Sequence, residues 1–182
     1  PFNPSSLALG AGATFVARGY DKDTTQIKHL LERAAKHKGF AFVEIYTNCV
    51  IFNDGAFEEF TARETKRETT INLEHGKPLI FGEKFDKGIK LDGYRPVVVN
   101  LNDGVHSVND LIVHNENDST LALILSDMSF NPELPRPMGV IQAIERLSYD
   151  QKTTMQIEDI QSRMGVGNLQ DLLRGEDYWE IK

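Results

Sequence analysis

The run from Thr14 to Cys49 constrains the fold of this chain more than any other stretch. Thr14 to Arg18 (TFVAR) is rich in β-formers and reads as a strand. Asp23-Thr24-Thr25-Gln26 then carries a helix-start signature, with Gln26 three residues after a capping Asp. Ile27, Leu30, Leu31, Ala34 and Ala35 recur at i, i+3, i+4, i+7 and i+8, which makes one apolar stripe on a helix. Lys36, His37 and Lys38 suit the negative end of that helix, and Gly39 supplies a left-handed stop. Phe40 to Tyr46 follows, strand-length and apolar apart from Glu44. Such a run predicts a strand covered on both faces, as in parallel sheets. Strand, amphipathic helix and strand make a βαβ unit, so the chain is expected to be α/β with a parallel core and a right-handed crossover.

Cys49 is the single cysteine, and it falls just past the carboxyl end of the second strand, where ligands gather in open α/β sheets. Two readings stand side by side: an inert buried thiol packing as a small hydrophobe, and a thiol site. One cysteine builds no disulfide framework, which fits a reducing, cytoplasmic setting. The net charge of -7 comes without any basic stripe interleaved with aromatics, which argues against a nucleic-acid partner. No apolar run approaches the roughly 18 residues of a membrane helix, so no membrane is expected.

Elsewhere the signals are weaker. Pro1 to Ser6 reads as a loop, and Leu7 to Gly12 as a helix end or a tight packing contact. Ala56 to Lys66 predicts a short helix with Phe57 and Phe60 on one side. Thr69 to Leu101 breaks into short alternating runs separated by glycine turns, which predicts a small, mainly antiparallel β appendage. Val105 to His114 reads as a short helix, Leu121 to Leu125 as a second buried strand, and Met155 to Met164 as a helix. Gly139 to Leu147 suits strand or helix, and Leu169 to Leu173 with Trp179 reads as a segment docking by its apolar side. These readings divide the chain into an α/β segment over 1–66, a β-rich appendage over 67–104 and an α/β segment over 105–182 packing on the core. His29 and His37, and likewise His106 and His114, are eight apart, without the i, i+4 spacing of a zinc helix. No G-x-S-x-G elbow and no phosphate-binding loop occurs. From the residues alone, the reading is an α/β domain with a possible thiol site.

The run Gly10-Ala11-Gly12-Ala13-Thr14-Phe15-Val16-Ala17-Arg18, the run from Phe42 to Asn53 (FVEIYTNCVIFN) and the late Pro135-Arg136-Pro137-Met138-Gly139-Val140 resemble the β subunit of 2-oxoacid:ferredoxin oxidoreductases of the 2-oxoglutarate type. The resemblance implies the C-terminal half of a thiamine diphosphate-binding fold. In that family the first half carries a Gly-Asp-Gly motif for magnesium and diphosphate, together with three cysteines of a [4Fe–4S] cluster. The fourth cluster cysteine lies in an Asn-Cys turn, here Asn48-Cys49, so the resemblance assigns a metal-ligand role to Cys49 alone. It further implies CoA-dependent oxidative decarboxylation of a 2-oxoacid with an α subunit and ferredoxin as partners. Thr47 and Asn48 are then candidates for hydrogen bonds to cluster sulfur, or ordinary turn residues.

The chain has no Gly-Asp-Gly and only one of four cysteines, and Pro1 falls about where the family's second half begins. The expectation is a C-terminal fragment, inactive and cofactor-free by itself. Two rival readings are a cofactor-free scaffold for subunit interaction and a thiol enzyme using Cys49.

Overall fold

The computed structural model describes residues 2–179 and 181. It comprises two compact units, Pro1–Arg146 and Leu147–Lys182. In the first unit, α1 (Pro4–Gly10), β1 (Phe15–Tyr20), α2 (Thr24–Lys36) and β2 (Ala41–Tyr46) come first. Two single-turn helices follow, α3 (Glu58–Thr61) and α4 (Lys66–Thr69), then β3 (Thr70–Leu73), β4 (Ile80–Phe81), β5 (Lys87–Asp92) and β6 (Arg95–Asn100). A 3₁₀ turn at Val108–Asp110, α5 (Ser119–Met128) and β7 (Arg136–Ala143) complete it.

The main sheet is mixed, with strand order β2-β1-β7-β3. β1 and β2 are parallel, from Phe15 opposite Ala41 to Tyr20 opposite Tyr46. That is the expected βαβ unit, and its helix forms as the cap predicts: Asp23 Oδ1 accepts the Gln26 N–H at 2.9 Å. β7 runs antiparallel to β1 and parallel to β3. A separate antiparallel sheet, β4-β5-β6, accounts for most of the expected appendage, while β3 joins the main sheet instead.

Along β1 the side chains alternate between two layers. Val16 enters a core with Ala8 of α1, Leu121 and Leu125 of α5, Ile71 and Ile141. Phe15 and Ala17 point the other way and pack with Leu30 of α2 and Val140. Burial of each large side chain contributes about 1.5–3 kcal/mol, so β1, buried at every position, is the axis of the unit.

Several expectations change against the structure. The run Leu121–Leu125 is helical: Asp118 Oδ1 accepts the N–H groups of Thr120 and Leu121 at 2.9 and 3.0 Å. Leu121, Ala122, Leu125 and Met128 are the buried face, and five apolar residues are too few to display a helical period. α1 starts inside the expected loop, because Asn3 caps it and Pro4 occupies the first turn, where a missing N–H costs nothing. The 56–66 helix contracts to α3 and α4, and 105–114 to one 3₁₀ turn closed by Ser107 and Asp110. Gly139 to Ala143 is strand. β2 is covered less than expected: it is the edge strand, with Ala41 and Ile45 exposed and the rest half-buried.

The second unit holds α6 (Tyr149–Met164), capped by Ser148 and Gln151, and α7 (Leu169–Arg174). The expected helix over 155–164 is present within α6. Leu169, Leu172, Leu173 and Trp179 do not form a core in this unit; all are exposed.

Candidate thiol site at the carboxyl end of β2

The site begins with an ion pair inside the sheet. Arg18 of β1 is fully buried and stands opposite Glu44 in the β1–β2 register. Its Nε donates to Glu44 Oε2 at 2.8 Å, and Ser5 of α1 donates its hydroxyl to the same oxygen at 2.7 Å. Arg18 also bonds Ser129, just beyond α5. The one charged residue in the apolar β2 run is therefore what seats β2 against β1 and α1.

Three residues past the end of β2, Cys49 opens a tight loop. Asp21 Oδ2, at the end of β1, accepts the Asn48 N–H at 2.9 Å. Asn48 Oδ1 accepts the Gly55 N–H at 3.0 Å, and Asn48 Nδ2 donates to Asp54 Oδ1 at 2.9 Å. Gly55 has φ of 73°, a left-handed conformation that favours glycine. Within the loop, the Asn53 N–H donates to Cys49 O at 3.0 Å. The far end is anchored by aromatics: the Tyr46 ring lies 5.0 Å from Phe57 and 5.1 Å from Phe60. The Arg136 guanidinium sits 4.2 Å from the Phe60 centroid, and its Nη1 donates to the Tyr46 hydroxyl at 3.1 Å.

Held this way, Cys49 is exposed. The backbone N–H of Phe52, then that of Ile51, favour the thiolate and hold the thiol below its ordinary pKa, with a smaller contribution from Asn53. Val50, Ile51 and Phe52 are 74%, 81% and 89% exposed, so the loop that carries the sulfur presents three apolar side chains to solvent. The inert buried thiol is thus corrected: Cys49 is neither buried nor packed among aliphatic side chains. The Asn48 side-chain amide is used within the loop.

Among the described residues, no group of three or more His, Cys, Asp or Glu side chains is placed to hold a metal ion. A [4Fe–4S] cluster normally takes four thiolates, so this chain alone does not fit one; Cys49 can supply a single ligand. A thiol enzyme needs a base at the sulfur, and the histidines lie elsewhere. His114 is buried and donates from Nε2 to Val140 O at 2.8 Å, outside any helix. His106 pairs with Asp103 at 2.7 Å, and His37 with Thr14 at 2.8 Å. His29 is solvated on α2, as expected.

Sequence reading missed a second polar cluster. Arg33 grips Glu116 with two hydrogen bonds of 2.9 and 2.6 Å, and His75 Nδ1 accepts the Glu116 N–H at 3.2 Å. Burial pushes the Glu116 carboxyl up, but the Arg33 guanidinium outweighs it and holds it below the usual range. These residues are far apart in sequence, and no local pattern marks them. No helix among the described residues is long and apolar enough to cross a membrane.

No protein-family model matches the chain. The chain is 36% identical over 185 residues to the 2-oxoglutarate oxidoreductase subunit KorB of Mycobacterium tuberculosis, a match covering 100% of this chain and 49% of that protein. It is 41% identical over 58 residues to the 2-oxoacid:ferredoxin oxidoreductase subunit beta of Saccharolobus solfataricus, covering 32% of this chain and 19% of that one. A solved 2-oxoglutarate:ferredoxin oxidoreductase from Magnetococcus marinus, with 2-oxoglutarate, coenzyme A and succinyl-CoA bound, superposes with a TM-score of 0.55 at 20% identity. That superposition covers 95% of this chain and 43% of the solved chain, and it shows the shared fold. The chain is a homologue of the β subunit of 2-oxoglutarate and 2-oxoacid:ferredoxin oxidoreductases and spans about half the length of that subunit.

Proposed function

We propose that this chain is part of the β subunit of a 2-oxoglutarate (2-oxoacid):ferredoxin oxidoreductase, in which Cys49 supplies one thiolate to a [4Fe–4S] cluster. The complete assembly would decarboxylate a 2-oxoacid oxidatively with coenzyme A and pass electrons to ferredoxin. Thiamine diphosphate with magnesium would supply the carbanion chemistry there. The observation that carries this reading is Cys49 itself. The sole cysteine is exposed beyond a strand end, with backbone amides favouring its anionic form, in a homologue of these β subunits.

This chain's own residues play a positioning part. Arg18 and Glu44 set β2 against β1, Asn48 and Gly55 hold the loop shape, and Val50, Ile51 and Phe52 offer an apolar shell. An apolar shell limits water at an iron–sulfur centre and so shapes its potential. The test is anaerobic iron–sulfur reconstitution of the complete subunit with and without Cys49→Ser. Loss of the cluster spectrum supports the ligand role, and an unchanged spectrum contradicts it.

A second reading concerns the chain in isolation, as a cofactor-free scaffold for subunit interaction. One thiolate out of four and no Gly-Asp-Gly favour it. It predicts no thiamine diphosphate binding by calorimetry, and saturable binding by the isolated chain would contradict it.

A further inference from the structure

We propose that two copies of this chain pair through the outer edge of β2, with their α2 helices side by side over the joint. β2 has no neighbouring strand on its outer side among the described residues. Phe40 O accepts the Phe15 N–H at 3.0 Å, and Tyr46 O accepts the Asp21 N–H at 2.9 Å. Backbone groups of alternate residues face opposite edges of a strand. Ala41, Val43 and Ile45 therefore turn their N–H and C=O groups away from β1.

Edge strands are ordinarily blunted by lysine, proline or a bulge, and β2 (AFVEIY) has none of these. Its one charge, Glu44, is taken up by Arg18 and Ser5. A second copy related by a two-fold axis at Val43 satisfies every outward group. Val43 then stands opposite its own counterpart, and Ala41 opposite Ile45. The same register sets Phe40, 61% exposed, across from Tyr46 as an aromatic cross-strand pair. It opposes no like charges along the strand.

α2 supplies an independent observation. Its Gln26 reaches Asn72 of β3, and its Arg33 reaches Glu116, whose carbonyl accepts the Ala143 N–H of β7. That flank of the helix faces β7 and β3. At 100° per residue, Leu31 and Ala35 lie on the other flank, toward β2. With Ile27 they line a shallow apolar groove that stays open, and Lys28 and Glu32 beside them compensate each other at 3.9 Å. A two-fold axis normal to the sheet keeps both α2 helices on one face and turns these flanks toward each other. Because α2 lies over β1 and β2, the two helices sit two strand spacings apart, about 9.5 Å, and packed helices lie about 8–10 Å apart. Strand pairing and helix packing select the same partner, a second copy. The joint uses neither Cys49 nor its loop, so it stands or falls apart from the cluster reading.

The test is sedimentation equilibrium of the full chain, with residue-resolved amide exchange by NMR. The expected result is a dimer in which Ala41, Val43 and Ile45 exchange as slowly as Phe42, Glu44 and Tyr46. Val43→Pro removes an outward donor while sparing the β1 ladder, and Leu31→Glu places like charges at the helix contact. Each should weaken the dimer about tenfold or more. Leu123→Glu, a control on α5 at the same 47% exposure as Leu31, should leave it unchanged. A monomer, fast exchange at Ala41, Val43 and Ile45, or a dimer indifferent to both substitutions overturns the proposal. Circular dichroism separates lost pairing from lost folding, and Leu31→Glu decides where Val43→Pro fails to fold.

Discussion

Arg18 and Glu44 face each other across the parallel register of β1 and β2, and the fully buried Arg18 donates from Nε to the half-buried Glu44 Oε2 at 2.8 Å. A buried guanidinium is tolerable only while its partner remains. Glu44→Leu should therefore destabilise the chain by about 3–5 kcal/mol in urea unfolding. Arg18→Met/Glu44→Leu should recover much of that loss, since it removes both charges. A double variant as unstable as the single would contradict the pairing.

Asn48 ties the two ends of the Cys49 loop through Asp54 and Gly55. Asn48→Ala removes both side-chain bonds, at a cost of about 1–2 kcal/mol, and frees the backbone amides that favour the thiolate. In wild type, the pH profile of Cys49 alkylation by iodoacetamide should have its midpoint below the ordinary thiol value of 9.0. Asn48→Ala should move that midpoint upward. Identical profiles would show that the loop does not tune the sulfur.

Gly139 in β7 has φ of 119°, and a Cβ there would lie 3.0 Å from the carbonyl oxygen of Leu73 in β3. Gly139→Ala meets both backbone strain and a backbone contact, so it should cost about 1–3 kcal/mol in thermal or urea unfolding. Wild-type stability in this variant would contradict the β3–β7 register.

His114 is buried, and burial holds its pKa below the ordinary 6.5. His37 is shifted the same way, by burial first, with Glu145 opposing the shift and Arg33 adding to it. For both, the unfolded chain binds the proton more readily than the folded one, so stability rises with pH. The loss on acidification should begin as pH falls below about 6.5 and continue toward the folded pKa values. Glu116, held low by Arg33 despite its burial, adds an acid-side loss of the same sign in the carboxylate range. Urea midpoints at pH 7.5 and 5.5 should differ in wild type, and less so in His114→Gln. A flat pH dependence would mean that His114 is not sealed from solvent.

The βαβ unit was legible because its signals are local: a cap, a stripe at helical spacing, a glycine stop. Cys49 at a strand end was legible for the same reason. What escaped depends on distant partners. Nothing near Leu121 shows that α1 and β7 receive its helix face, and a five-residue apolar run suits strand and helix alike. Glu44 looked like an isolated charge until its partner on the neighbouring strand was visible. The Arg33–Glu116 grip joins residues 83 apart. The exposure of β2 follows from its place at the sheet edge, which an apolar pattern alone does not report.

The most direct test of the central claim is the electron paramagnetic resonance spectrum of the complete β subunit, reconstituted anaerobically with iron and sulfide and then reduced, with and without Cys49→Ser. The account predicts a [4Fe–4S] signal in wild type that is lost or converted to a different cluster type in Cys49→Ser, while circular dichroism shows the fold intact. A folded Cys49→Ser subunit with an unaltered [4Fe–4S] signal would contradict it.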